Sequence, residues 1–114
     1  MKRNIKLYLQ DILESILVIE KYTNQITDKE FYSNLQIQDA VVRRLEIIGE
    51  AVKNLDENFR NKYAEVPWRK IAGMRNVIAH EYFAIQLKRI WDVVKKDLPD
   101  LKPQVLLMMN AKEE

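Results

Sequence analysis

Eight consecutive residues, Arg75-Asn76-Val77-Ile78-Ala79-His80-Glu81-Tyr82, hold the single histidine of the chain. An arginine stands five places before that histidine, an asparagine four places before it, and a tyrosine two places after it. Arginine grips a phosphate with two parallel N–H donors, and histidine is the side chain whose ordinary pKa lies nearest neutrality. Asparagine can orient either of them. A lone histidine is more often a satisfied structural residue than a reactive one. Its company here points instead to phosphate binding and proton transfer, with Arg75 and His80 as the chemical groups and Asn76 as their support.

The elements that must position these groups read as helices. Two glycines and three prolines in 114 residues leave little punctuation for hairpins, and the apolar positions recur at helical spacing. Ile5, Leu9, Ile12, Leu13, Ile16 and Ile19 predict a first helix over about 4–22. Thr27-Asp28-Lys29-Glu30 has the pattern of a capping box and opens a short second helix ending near Asn34. Ile37, Val41, Leu45, Ile48, Val52 and Leu55 form a stripe about five turns long, with Arg43, Glu46 and Glu50 on its other side. A fourth helix is expected to begin at Val66-Pro67-Trp68, with proline at its first position, and to run through Ile71, Met74 and Ile78. A fifth carries Leu87, Ile90, Trp91, Val94 and Leu98. Pro99 and Pro103 are expected to break or restart the chain, leaving a short apolar helix around Val105 to Met109.

Composition narrows the classes of function. The length suits one domain, residues 1–114, able to bury a core without staples. The absence of cysteine excludes a disulfide framework and a thiolate metal site, and one histidine without a zinc-type spacing argues against a metal centre. No apolar run approaches the ~20 residues of a membrane span, and Met1-Lys2-Arg3-Asn4 leads into an amphipathic pattern, so a cytoplasmic protein is expected. The formal charge is +2 although 32% of residues are charged, which makes local patches more important than a general attraction to nucleic acid.

On a straight helix, Arg75 and His80 would be separated by about 140° around the axis, too far to close on one phosphate. Asn76 and His80 would share a face, Gly73 would lie on the same stripe, and Tyr82 would fall within about 20° of Arg75. Gly73 and Gly49, inside their expected helices, cost about 1 kcal/mol each against alanine and suggest close approach by a neighbouring helix or a ligand.

Arg-Asn-x-x-x-His resembles the R-x4-6-H motif of the HEPN superfamily, and the extension to Tyr82 resembles the R-x4-H-x-Y form of the HepT toxins. The likeness extends from Tyr8-Leu9-Gln10-Asp11-Ile12-Leu13-Glu14-Ser15-Ile16 through Arg44-Leu45-Glu46-Ile47-Ile48-Gly49-Glu50-Ala51 and Pro67-Trp68 to Trp91 and Leu98-Pro99. R-x4-H alone is weak; with these flanks and this length it is specific, and the motif positions show no departure. The resemblance implies an all-α bundle of four to six helices with up-down topology, homodimeric, whose paired motifs face one cleft. It implies a metal-independent ribonuclease without cofactor, paired with a nucleotidyltransferase antitoxin, MntA, that attaches AMP to the motif tyrosine. Arg75 and His80 would then be catalytic, Asn76 supporting and Tyr82 the acceptor of AMP.

RNA cleavage without metal is easiest when the neighbouring 2′-OH attacks phosphorus, leaving a 2′,3′-cyclic phosphate and a 5′-OH. A base must take the 2′ proton, an acid must protonate the leaving oxygen, and positive charge must stabilise the phosphorane. One histidine cannot easily do both proton transfers in line. A two-fold dimer supplies two histidines and two arginines, and also lets Arg75 of one chain meet His80 of the other. DNA, lacking the 2′-OH, should be inert.

Other signals are weaker. Arg43, Arg44, Arg69 and Lys70 could guide phosphates, although a solvated helical face is the commoner role. Glu46 or Glu50 could position Arg75, Trp68 and Trp91 suit a core better than base stacking, and the Val105–Met109 run fits either a core or an interface. Three classes of function remain: an RNase toxin, a silent nucleotide-binding module that scaffolds a nucleotidyltransferase, and a structural dimer whose Arg-Asn-His cluster is a polar interface network.

Overall fold

The first four helices start with one shared device, a short polar side chain that takes up an otherwise unpaired N–H of the first turn. The computed structural model describes residues 4–74 and 83–111. Asn4 accepts from the Lys6 N–H at 2.8 Å and starts α1, Ile5–Thr23. Thr27 and Glu30 form the reciprocal capping box expected from sequence, at 3.1 and 3.0 Å, and start α2, Asp28–Tyr32. Asn34 accepts from Ile37 to open α3, Leu35–Asn54. Asp56 accepts from Phe59 to open α4, Glu57–Lys62, a helix that sequence periodicity did not predict. Its six residues are too few to carry a stripe, and none is fully buried.

Two corrections concern the second half. The fourth expected helix is broken at Gly73: α5 spans Trp68–Ala72, Pro67 stands at its N-cap rather than inside, and Met74 is again helical. Ile78 falls outside the described residues. The prolines near the end do not interrupt the chain either. α6, Phe83–Asp92, passes through a π-helical turn, Val93–Asp97, into α7, Leu98–Asn110, which contains both Pro99 and Pro103. Pro99 sits in the first turn of α7, directly after the π-turn, where the Leu98 N–H reaches back five residues to the Val93 carbonyl. That wider turn shifts the hydrogen-bond register just where proline's missing N–H and bulky ring would strain an α-helical one. The result is a continuous helical rod over 83–110, about 42 Å along its path at ~1.5 Å per residue.

All regular elements among the described residues are helical, and their inward stripes form the core. Leu9, Ile12, Ile16 and Ile19 of α1 meet Val41, Leu45, Ile48 and Val52 of α3, with Ile90, Val94, Leu98, Leu101 and Val105 of the rod closing the third side. α7 runs antiparallel to α1: Lys95 donates to the Thr23 carbonyl at the end of α1, and Lys102 pairs with Glu20 at 2.9 Å. Phe31 of α2 is fully buried against Trp91, with ring centres 5.2 Å apart. Gln38 donates to the carbonyls of both Phe31 and Tyr32 and so finishes α2 with a side chain of α3. The Val105–Met109 run divides: Val105 and Met108 complete the core, while Leu106 and Leu107 are exposed.

Candidate active site

The octapeptide Arg75–Tyr82, with Arg75, Asn76, His80 and Tyr82, lies outside the described residues. Its two ends are nevertheless located. Met74 precedes Arg75 in the chain and is buried in the core, and α6 begins at Phe83, the residue after Tyr82. The segment therefore joins the end of α5 to the start of the long rod.

Gly73, one residue further back, has a different role from the one its sequence position suggested. It caps α5 rather than occupying a helix interior, and its φ of −75° is open to any residue. The constraint is space: a Cβ there would stand 3.1 Å from the Arg69 carbonyl oxygen. Glycine lets the chain leave α5 tightly and deliver Met74 into the core.

Two recesses hold residues that bear on the candidate chemistry. The first is a cavity of about 270 Å³ bounded by α3, α5, α6 and the π-turn. Leu45, Met74 and Ile90 give it an apolar floor, and Lys70, Arg89, Asp92 and Asp97 give it a charged rim. Lys70 and Asp97 are joined across it by an ion pair of 3.0 Å. The second is a polar groove between α1 and α3, lined by Tyr8, Asp11, Arg43, Glu46, Glu50 and Asn54. Glu46 and Glu50, the two carboxylates considered as partners for Arg75, thus share one groove with the exposed Arg43.

The remaining candidates separate by burial. Arg69 is exposed and Arg44 half-buried. Trp68 is a core residue whose indole N–H donates to the Arg60 and Tyr63 carbonyls, each at 3.1 Å, tying α4 to α5. Trp91 is half-buried, with Phe31 packed against it and the Lys95 ammonium 4.7 Å from its ring centre. Neither indole presents a free stacking platform. Burial raises the Tyr32 hydroxyl above its ordinary pKa, and the charges of Asp28 and Asp92 raise it further. Among the described residues no three His, Cys, Asp or Glu side chains are placed to hold a metal ion, and no helix is long and apolar enough to cross a membrane.

Sequence reasoning singled out Lys70 but missed its partners on the rim, Arg89, Asp92 and Asp97. Asp92 and Asp97 are five residues apart, which on an α-helix sets them about 140° apart. In the π-turn, i to i+5 hydrogen bonding brings residues five apart one above the other, as residues four apart are in an α-helix. Both carboxylates therefore reach the same cavity. Nothing in a 3.6-residue period signals this.

Comparison with known proteins adds to this geometry. A family model described as "Ribonuclease HepT-like" matches residues 12–108, a span that includes the whole octapeptide. The chain is 45% identical over 102 residues to "Probable ribonuclease HepT" of Thermococcus cleftensis, covering 90% of this chain and 93% of that one. It is 49% identical over 110 residues to "Gamma-glutamylcyclotransferase and putative RNase" of Methanocaldococcus jannaschii, covering 96% of this chain but only half of that longer protein. A "Putative RNase" of the same organism is 43% identical over 104 residues, covering 91% of this chain and 95% of its own length. No solved structure gives a significant match.

Proposed function

Because the chain belongs to the HepT-like ribonuclease family, we propose that it is a metal-independent endoribonuclease that cleaves RNA by attack of the 2′-OH on the adjacent phosphorus. The observation that carries this reading is the Arg75-Asn76-x-x-x-His80-x-Tyr82 motif, intact inside the segment matched to the family. Arg75 neutralises the phosphorane, His80 transfers protons to or from the 2′ and 5′ oxygens, and Asn76 orients them. In-line displacement puts the attacking and leaving oxygens on opposite sides of phosphorus. Two copies of His80, one from each subunit of a homodimer, serve both sides.

The same reading makes the chain the toxin of a toxin–antitoxin pair held in check by an MntA-type nucleotidyltransferase. AMP placed on Tyr82 would bring bulk and negative charge to the groups that receive the RNA phosphate. Incubation of the purified chain with RNA in EDTA tests the proposal. Products ending in 2′,3′-cyclic phosphate and 5′-OH are expected, with DNA of the same sequence left intact. Nucleotide binding without any cleavage would replace the enzyme with a silent nucleotide-binding module.

A further inference from the structure

The cavity beside Met74 has the build of a site for a flat, polar-edged ring. Its floor is apolar and closely packed: Leu45, Met74 and Ile90 are each less than 5% exposed. Its rim carries two cations and two carboxylates. The carboxylates are not equivalent. Asp97 already accepts from the Lys70 ammonium at 3.0 Å, whereas Asp92 forms no ion pair among the described residues and its charge bears on the Tyr32 hydroxyl. The π-turn is what turns both acids to the same side, and it is a departure from α-helical geometry of the kind found disproportionately at functional sites. Met74, which lines the cavity, is the residue before Arg75 in the chain.

We propose that this cavity is a nucleobase subsite of the ribonuclease, a reading that rests on the function proposed above, and that Asp92 reads the edge of the base. An apolar floor accepts the face of an unstacked base, as sites for single-stranded RNA commonly do. A carboxylate only accepts hydrogen bonds. It therefore favours bases that offer an exocyclic amino group. Guanine suits it best, because N1–H and the 2-amino group point the same way and match the two carboxylate oxygens. Uracil suits it worst, because its single N–H stands between two carbonyls that the carboxylate repels. Asp97, neutralised by Lys70, holds that ammonium in place and leaves the reading to Asp92.

Two measurements test this on the full chain. The first is cleavage of a random-sequence RNA pool with sequencing of the product ends. Wild type should disfavour uridine and favour guanosine at one position flanking the cut, and Asp92→Asn should reduce that preference about tenfold, the discrimination of one good bidentate contact. Lys96→Ala, in the same π-turn but outside the cavity, should leave it unchanged. Cleavage without base preference, or a preference that Asp92→Asn leaves intact, overturns the subsite. The second measurement does not need activity: GMP and UMP are titrated separately and followed by amide chemical shifts. GMP should bind roughly tenfold more tightly than UMP to wild type and with nearly equal affinity to Asp92→Asn. If the pool is not cut at all, the ribonuclease reading has failed, and the titration alone decides the subsite. Equal affinities for the two nucleotides in wild type, or no binding of either, reject it.

Discussion

The imidazole at position 80 and the phenol at position 82 have separate duties in the proposed chemistry, and single substitutions distinguish them. His80→Ala removes a proton-transfer group. General acid–base catalysis typically contributes ~10²–10⁴-fold, so cleavage should fall by about that factor while the circular dichroism spectrum and melting temperature stay close to wild type. A folded His80→Ala protein that cuts RNA at the wild-type rate would remove the mechanism. Tyr82→Phe deletes only the hydroxyl that would receive AMP. It should keep at least partial nuclease activity yet escape silencing by a cognate nucleotidyltransferase and ATP. Intact mass gives the answer: no ATP-dependent addition to the wild type, or equal addition to Tyr82→Phe, would end the case for control at this residue.

The helices place two polar side chains in the core on opposite terms, and their replacement should move stability in opposite directions. Gln38 is 5% exposed and donates to the carbonyls of Phe31 and Tyr32, joining the end of α2 to α3. Gln38→Leu would remove both of these bonds while the Phe31 carbonyl keeps the Asn34 N–H, and should cost about 1 kcal/mol in urea unfolding. Ser15 is fully buried in the middle of α1, and its hydroxyl finds no partner among the described residues. Ser15→Ala removes that unpaired group and improves helix propensity, so a gain of roughly 0.5–1 kcal/mol is expected. If both substitutions destabilise to a similar extent, the hydrogen-bond accounting at these positions is wrong. The same element-level reasoning explains why the rod survives two prolines: the π-turn rearranges the ladder immediately before Pro99, and the buried Leu98, Leu101, Val105 and Met108 hold α7 against the core.

For the whole molecule, the proposed two-fold site makes activity a property of two chains. Co-refolded Arg75→Ala and His80→Ala chains should form some heterodimers in which one Arg–His pair is intact, and should recover part of the activity that either variant lacks alone. Light scattering that finds a monodisperse, fully active monomer at working concentration would defeat the shared site. Much of this protein was legible in its sequence, because local interactions leave local patterns. The stripes of α1 and α3, the capping box at Thr27 and the chemical character of the 75–82 segment follow from residue type and spacing within a few turns. Packing decided the rest. Trp68 ties α4 to α5 by donating its indole N–H to the Arg60 and Tyr63 carbonyls, a Cβ at residue 73 would crowd the Arg69 carbonyl where α5 ends, and Asp92 joins Asp97 at one cavity because the helix opens by one residue per turn between them. A periodic pattern assumes a constant helix, whereas contacts between helices determine where that constancy is broken.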